Sequence, residues 1–301
     1  MLKVINHFSR LKIILSNSSV KNWPAILILA LNPKTREKGE HFRIFLEKKG
    51  IIKYFPNEKK ISFLDFIFFH NSPNLAALAS DIVSIWGKDF PSFSEKLLKS
   101  KAYSFEGPYE NDEVFIKEGD FVVDAGANIG LFSLLASQKV GSSGKIYAFE
   151  PIKDTREILK KNISVNRLNN ISVLPFALGE KSGEVDFSLL PDPGSNALSS
   201  LIEESQERRH EKVEVKTLDE IIAQGTINHV DFIKSDIEGM ERDLIIGARN
   251  SIKRFHPRLS ICIYHRPDDR EVLSRLIHEI EPKYKISFSY KKMFAIYEDS
   301  Y

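Results

Sequence analysis

At 301 residues, 42% hydrophobic and 28% charged, the chain is long enough to bury a sizeable core and to carry an appendage beside one large domain. Lys and Arg number 43 against 41 Asp and Glu, a formal charge of +2, and this balance demands neither a nucleic-acid nor an anionic membrane partner. A single cysteine, Cys262, cannot close an internal disulfide. With Ile261 and Ile263 beside it, it reads as a buried core thiol, and a reducing, cytoplasmic setting is the expectation.

The chain opens on a basic, mildly amphipathic stretch, Met1 to Val20, which lacks an apolar run followed by a small-residue cleavage site. Peripheral membrane contact stays open there. The apolar run Ala25 to Leu31 is bounded by Pro24 and Asn32-Pro33 and falls far short of the roughly 20 residues that cross a bilayer, so no transmembrane segment is expected. Phe42 to Leu46 and Ile51 to Phe55, separated by Lys48-Lys49-Gly50, read as a hairpin. Phe63 to Phe69 is rich in aromatics, and Leu75 to Trp86 has helical spacing with no catalytic constellation. Residues 1–106 are therefore expected to form a small α+β accessory or substrate region.

From Asp120 the pattern alternates. Phe121 to Asp124 reads as strand, Leu131 to Lys139 as helix, Lys145 to Phe149 as strand, Arg156 to Val165 as helix and Ile171 to Phe176 as strand. Such alternation means parallel strands with crossover helices. Val185 to Leu190 and Lys212 to Leu218 read as two further strands around a polar insertion that carries Arg208-Arg209-His210. The series resumes with strand Val230 to Ser235, helix Met240 to Arg254, strand Leu259 to Tyr264 and helix Glu271 to Ile280. It ends on Lys285 to Tyr290 and Met293 to Tyr297, an antiparallel hairpin around Lys291-Lys292. The predicted fold class is α/β: a doubly wound, mostly parallel, Rossmann-like sheet with a C-terminal antiparallel hairpin, which is the layout of class I methyltransferases. Residues 107–301 would form that domain.

Ligands of an open parallel sheet sit at the carboxyl ends of the strands near the switch point, where the first strand delivers Asp124, Gly126, Ala127, Asn128 and Gly130. Gly126 and Gly130 allow a sharp turn and close approach of backbone to ligand, and Asp124 can accept hydrogen bonds from the loop or from a ligand ammonium group. Asn128 stands where a dinucleotide fingerprint has its second glycine, and Gly130 comes one residue early, which weakens a dinucleotide reading. S-adenosylmethionine has no pyrophosphate and does not impose that fingerprint. Glu150, ending the second strand, is placed to accept both ribose hydroxyls, with Pro151 fixing the turn beyond it. Phe176 and Ala177 would wall the adenine, and core packing is the competing role for Phe176.

Three segments carry a specific resemblance: Asp120-Phe121-Val122-Val123-Asp124-Ala125-Gly126-Ala127-Asn128-Ile129-Gly130, Tyr147-Ala148-Phe149-Glu150-Pro151, and Asp231-Phe232-Ile233-Lys234-Ser235-Asp236-Ile237-Glu238-Gly239-Met240-Glu241. In this order they resemble the FkbM family of methyltransferases over roughly Gly107 to Tyr290. The resemblance implies S-adenosyl-L-methionine as cofactor and O-methylation of a hydroxyl on a glycan or small metabolite, and the near-neutral charge balance leads to no expectation of a nucleic-acid partner. An alcohol becomes a good nucleophile only as its proton leaves, so a base or a metal is expected. Asp236, Glu238 and His265 on the carboxyl rim are the candidates. Against them stands the reading that Glu238 and Glu241 merely begin a helix, where carboxylates complement the dipole. No tight ligand spacing demands a metal, and none is assigned. Two further readings stay open, an RNA or protein methyltransferase and a non-catalytic cofactor-binding relative.

Overall fold

A computed structural model describes residues 47, 52–63, 65–70, 85, 108–189, 197–198, 209–289 and 291–298. By its internal contacts the chain divides into two units, Met1–Pro108 and Tyr109–Tyr301. The stretches Met1 to Val20, Ala25 to Leu31 and Phe42 to Leu46 lie outside the described residues, as does Leu75 to Trp86 apart from Ile85, which is helical. Among the described residues no helix is long and apolar enough to cross a membrane.

The first unit contains an antiparallel meander of β1 (Ile52–Phe55), β2 (Lys60–Phe63) and β3 (Phe66–Phe69). Ile52 pairs with Phe63 and Phe55 with Lys60 around a short 3-10 turn at Pro56–Glu58. Among the described residues Ile52–Phe55 pairs with the segment after it. Proline at the start of the turn and Lys59 in the left-handed region (φ 48°) reverse the chain there. Ile61, Phe63, Phe66 and Phe68 are buried, which accounts for the aromatic run.

The second unit is built on a seven-stranded sheet, β4 (Phe121–Ala125), β5 (Lys145–Phe149), β6 (Ile171–Leu174), β11 (Phe232–Ser235), β12 (Arg258–Cys262), β13 (Tyr284–Ser289) and β14 (Lys292–Tyr297). Their spatial order is β13-β14-β12-β11-β4-β5-β6. β12, β11, β4, β5 and β6 run parallel, and β14 pairs antiparallel with both β12 and β13. This is the class I methyltransferase topology, with the terminal hairpin inserted beside β12. β11 and β12 are buried at every position and β4 and β5 at all but the first, so they lack the in–out alternation of a half-exposed strand, and the charged residues at those positions, Asp124, Lys234 and Arg258, are buried too. Crossover helices α1 (Leu131–Val140), α2 (Lys153–Val165), α4 (Glu241–Gly247), α5 (Arg249–Phe255) and α6 (Asp269–Ile280) connect them. The order reverses between β4 and β11, which opens a crevice beyond their carboxyl ends.

A smaller sheet, β7-β10-β8-β9, follows β6 in the chain: β7 (Ala177–Leu178), β8 (Gly183–Leu189), β9 (Ala197–Leu198) and β10 (Arg209–Lys216). Here the structure corrects the sequence reading. Pro175 cannot donate to a ladder, so β6 stops at Leu174 and Ala177 pairs with Val215 of the second sheet instead of ending the third strand. The strand expected to run to Leu218 stops at Lys216, because Thr217 caps a short helix α3 (Leu218–Ala223) by accepting from Glu220 N at 3.0 Å. The rest of the polar insertion, Arg208 included, lies outside the described residues.

The helix expected over Met240 to Arg254 is two helices, joined at Ala248. At the break, Gly247 lies against the Gly179 carbonyl so closely that an added Cβ would sit 2.0 Å from that oxygen. In an unconstrained helix Gly→Ala is a gain of about 1 kcal/mol. Here Gly247→Ala is expected to cost about 1–3 kcal/mol by overpacking, read as a lower urea midpoint at unchanged m-value.

Candidate active site

The site begins with two charges buried in the middle of the sheet. Lys234 of β11 is the register partner of Asp124 of β4, and the side chains are 3% and 0% exposed. Lys234 Nζ lies 2.9 Å from Asp124 Oδ1 and donates to the carbonyls of Ala125 (3.1 Å) and Gly126 (2.7 Å). Burial works to discharge the ammonium, but Asp124 and Asp236 outweigh it and raise its pKa. Ser133 donates to the other Asp124 oxygen at 2.5 Å. Asp124 is thus fully buried against Lys234 and Ser133, and it is Lys234 that holds the carbonyls of the glycine loop from behind.

That loop is made of residues with positive φ: Gly126 (75°), Asn128 (50°) and Gly130 (96°). A Cβ on Gly126 would sit 2.0 Å from the Asp236 carbonyl, and one on Gly130 2.6 Å from Leu159. Asn128 occupies the left-handed region as asparagine tolerates best, its side chain accepting from Ile129 N at 2.7 Å. Gly126 N and Ala127 N both donate to Phe149 O, at 3.1 and 2.9 Å, and so tie the loop to the end of β5.

Glu150, just past β5, is 6% exposed. Its Oε2 accepts from Asn128 N and its Oε1 from Ile152 N, both at 2.9 Å, leaving each oxygen a lone pair for a ligand hydroxyl. Burial raises its pKa to about 7 against the opposing pull of those two amides, Lys234 and Arg156. Arg156 clamps the next turn by donating to the carbonyls of Glu150 (2.9 Å) and Pro151 (2.5 Å). Phe176 packs on the main core with Lys216 Nζ 4.1 Å from its ring centre, and Ala177 is buried with Phe187, Val213 and Val215 of the second sheet.

Across the crevice, the turn after β11 gathers Asp236, Glu238, Glu241 and His265. Glu238 (φ 54°) and Gly239 (φ 102°) put two consecutive residues in the left-handed region. Glu241, 1% exposed at the start of α4, folds back to accept from Ile237 N (2.9 Å) and Gly239 N (3.1 Å), and Arg266 braces the turn through Gly239 O (2.9 Å). Glu241 thus begins a helix, as the plainer reading held, whereas Glu238 stands outside it. Asp236 accepts from Tyr109 (2.5 Å) and Tyr264 (3.1 Å). Burial pushes its carboxyl up, yet Lys234, Lys292, His265 and the Tyr109 hydrogen bond prevail and hold it well below the usual range. Glu238 is raised by burial and by Asp236 and Glu241, against the pull of His265.

His265 lies with Nδ1 3.0 Å from Glu241 and Nε2 3.4 Å from Glu238 and 3.7 Å from Asp236. Burial favours the neutral ring, but the surrounding carboxylates win and raise its pKa to about 10. At that value the ring keeps its proton at neutral pH and stands as the counter-charge of the carboxylates around it. Lys234, Tyr109, Tyr264 and the fully buried Lys292, whose Nζ lies 4.2 Å from the Tyr109 ring centre, were not expected as site residues, and Glu241 was expected only as a helix start. A lysine inside Phe232-Ile233-Lys234-Ser235 was the available signal, since a buried lysine needs a paired charge. Tyr109 and Tyr264 carry none.

Residues 124–291 match the family model described as the methyltransferase FkbM domain. The chain belongs to this family. Its cofactor is S-adenosyl-L-methionine, and the residues present fit it: the buried Glu150 carboxylate, beside the glycine turn, keeps a lone pair on each oxygen for the ribose hydroxyls. Methyltransferase sdnD of Sordaria araneosa is 31% identical over 157 residues, covering 42% of this chain and 60% of that one. Hexuronic acid methyltransferase AglP of Haloferax volcanii is 26% identical over 166 residues, covering 54% and 63%. The chain thus spans less than two thirds of the length of these relatives. The crystal structure of methyltransferase FkbM from Methylobacillus flagellatus superposes with a TM-score of 0.48 at 24% identity, over 67% of this chain and 51% of that one.

Removing Lys234 leaves Asp124 buried and unanswered. Lys234→Met is expected to cost about 3–5 kcal/mol by chemical denaturation, and Lys234→Met with Asp124→Leu to recover much of that loss.

Proposed function

We propose that this chain is an O-methyltransferase acting on a hydroxyl of a glycan, sugar or small metabolite, with residues 107–301 as the methyltransferase domain and 1–106 contributing to acceptor choice. The observation that carries the reading is the juxtaposition of the glycine loop and the carboxylate turn, Gly126 packed on the Asp236 backbone. A methyl-donor site and a proton-accepting cluster thereby share one rim. The hexuronic acid methyltransferase among the relatives supports a sugar acceptor.

Gly126, Ala127, Asn128 and Gly130 would receive the cofactor against bare backbone, Glu150 would accept the ribose hydroxyls with Pro151 setting its turn, and Phe176 and Ala177 would flank the base. The bound cofactor supplies a methyl group already activated by a sulfonium, so the chain has mainly to align the acceptor and exclude water. Glu238 is the most exposed carboxylate of the cluster, at 34% of its side chain, and faces an incoming hydroxyl. It orients that hydroxyl and takes its proton at a carboxylate oxygen. Asp236, held by Tyr109 and Tyr264, and His265 keep Glu238 in place.

Labelled S-adenosylmethionine with glycan and glycolipid extracts tests the acceptor class, and label found only in RNA or protein would refute it. Glu238→Gln is expected to lower kcat by about 10²–10⁴ while S-adenosylhomocysteine binds as in the parent chain. For Glu150 the sign follows from its raised value. The carboxylate that accepts ribose hydroxyls is lost as pH drops through about 7, so affinity falls by up to ~tenfold per pH unit below it. The protonated form is also the one the fold prefers, so through this group stability rises as pH falls from about 7 toward the ordinary carboxylate range. Glu150→Gln should bind S-adenosylhomocysteine weakly and with a flat pH profile in calorimetric titration, and should lose that pH-dependent stability.

A further inference from the structure

Asp236, Glu241 and His265 each present one donor atom within 4.8 Å of the others, and they form such a group among the described residues. Three carboxylates cluster here with Glu238 included, and the His265 side chain between them is only 8% exposed. Both of its ring nitrogens are sealed from solvent and neither makes an aligned hydrogen bond, although carboxylate oxygens stand 3.0–3.7 Å away. Glu241 stands at Nδ1 while Glu238 and Asp236 stand at Nε2, so an ion ~2.1 Å from one ring nitrogen would gather the carboxylate of the other side as the three donor atoms close in from within 4.8 Å of one another.

The surroundings have the form of an outer shell. Tyr109 and Tyr264 orient the Asp236 carboxylate, and the amides of Ile237 and Gly239 fix that of Glu241, each leaving lone pairs directed elsewhere. We propose that Asp236, Glu241 and His265 bind one divalent cation of the class that accepts imidazole together with carboxylates, Mn²⁺ or Zn²⁺. A buried imidazole disfavours Mg²⁺ and Ca²⁺, which take oxygen ligands. The ion would neutralise the cluster in place of the ring proton. Glu238 stands at its more open side, where an acceptor hydroxyl would meet both.

Metal binding does not depend on the acceptor or on methyl transfer, so this inference and the proposed activity can fail separately. The full chain, stripped with EDTA and dialysed, is titrated with MnCl₂ while the electron paramagnetic resonance of free Mn²⁺ is followed. A single Mn²⁺ per chain, displaced by ZnCl₂, is expected. His265→Gln and, as a second variant, Asp236→Asn should each weaken binding at least about tenfold, with S-adenosylhomocysteine affinity within about twofold reporting an intact fold. Occupancy of the parent chain below about a tenth of an ion overturns the proposal, and so does Mn²⁺ binding that survives both substitutions.

Discussion

An ammonium with almost no access to water must find its compensation inside the protein, and Lys234 finds it in Asp124 and in the carbonyls of Ala125 and Gly126. The partners come from two strands that are neighbours in space and more than a hundred residues apart in sequence. One ion therefore ties the end of the first core strand, the start of the glycine loop and the strand that leads to Asp236 into a single unit. Such a pair adds little net stability over a well-packed apolar one, but it is costly to break. Its value here lies in placement: the loop cannot shift without exposing a charge.

From that anchor the two halves of the crevice constrain each other. The glycine loop turns where it does because Gly126 lies on the Asp236 carbonyl, and the Asp236 turn in turn runs through two left-handed residues before Glu241 closes it. Gly239 adopts that conformation freely, but for Glu238 it costs about 1–3 kcal/mol and persists only where the surroundings over-determine it. Those surroundings are two amides, Arg266 and a carboxylate cluster with His265 at its centre. Rigid placement of charged groups next to a cofactor loop suits a reaction in which alignment supplies most of the rate.

The second sheet shows how closely fold and site are joined. Leaving β6 at Pro175 sends the chain into β7, whose Ala177 packs with Val213 and Val215, and the next loop brings Gly179 against Gly247 at the end of α4. The helix that begins with Glu241 is thus stopped by the small sheet. Its length follows from the contact of Gly247 with Gly179, just past β7.

Much of the frame was legible in the chain itself. Buried parallel strands are mostly apolar on both faces, and Phe121 to Val123, Ile146 to Phe149 and Ile261-Cys262 announce themselves so; Gly126, Asn128 and Gly130 are residue types that tolerate positive φ, which marks a tight loop before any contact is known. Those signals are local and depend only on backbone sterics and burial period. Which helix breaks at Gly247, which strand Ala177 joins, and whether Asp124 looks toward a ligand or back at Lys234 depend on atoms brought together from distant segments. The same holds for His265: a histidine after a strand can be base, ligand or cation, and the three carboxylates folded around it, which only the tertiary structure assembles, decide its charge.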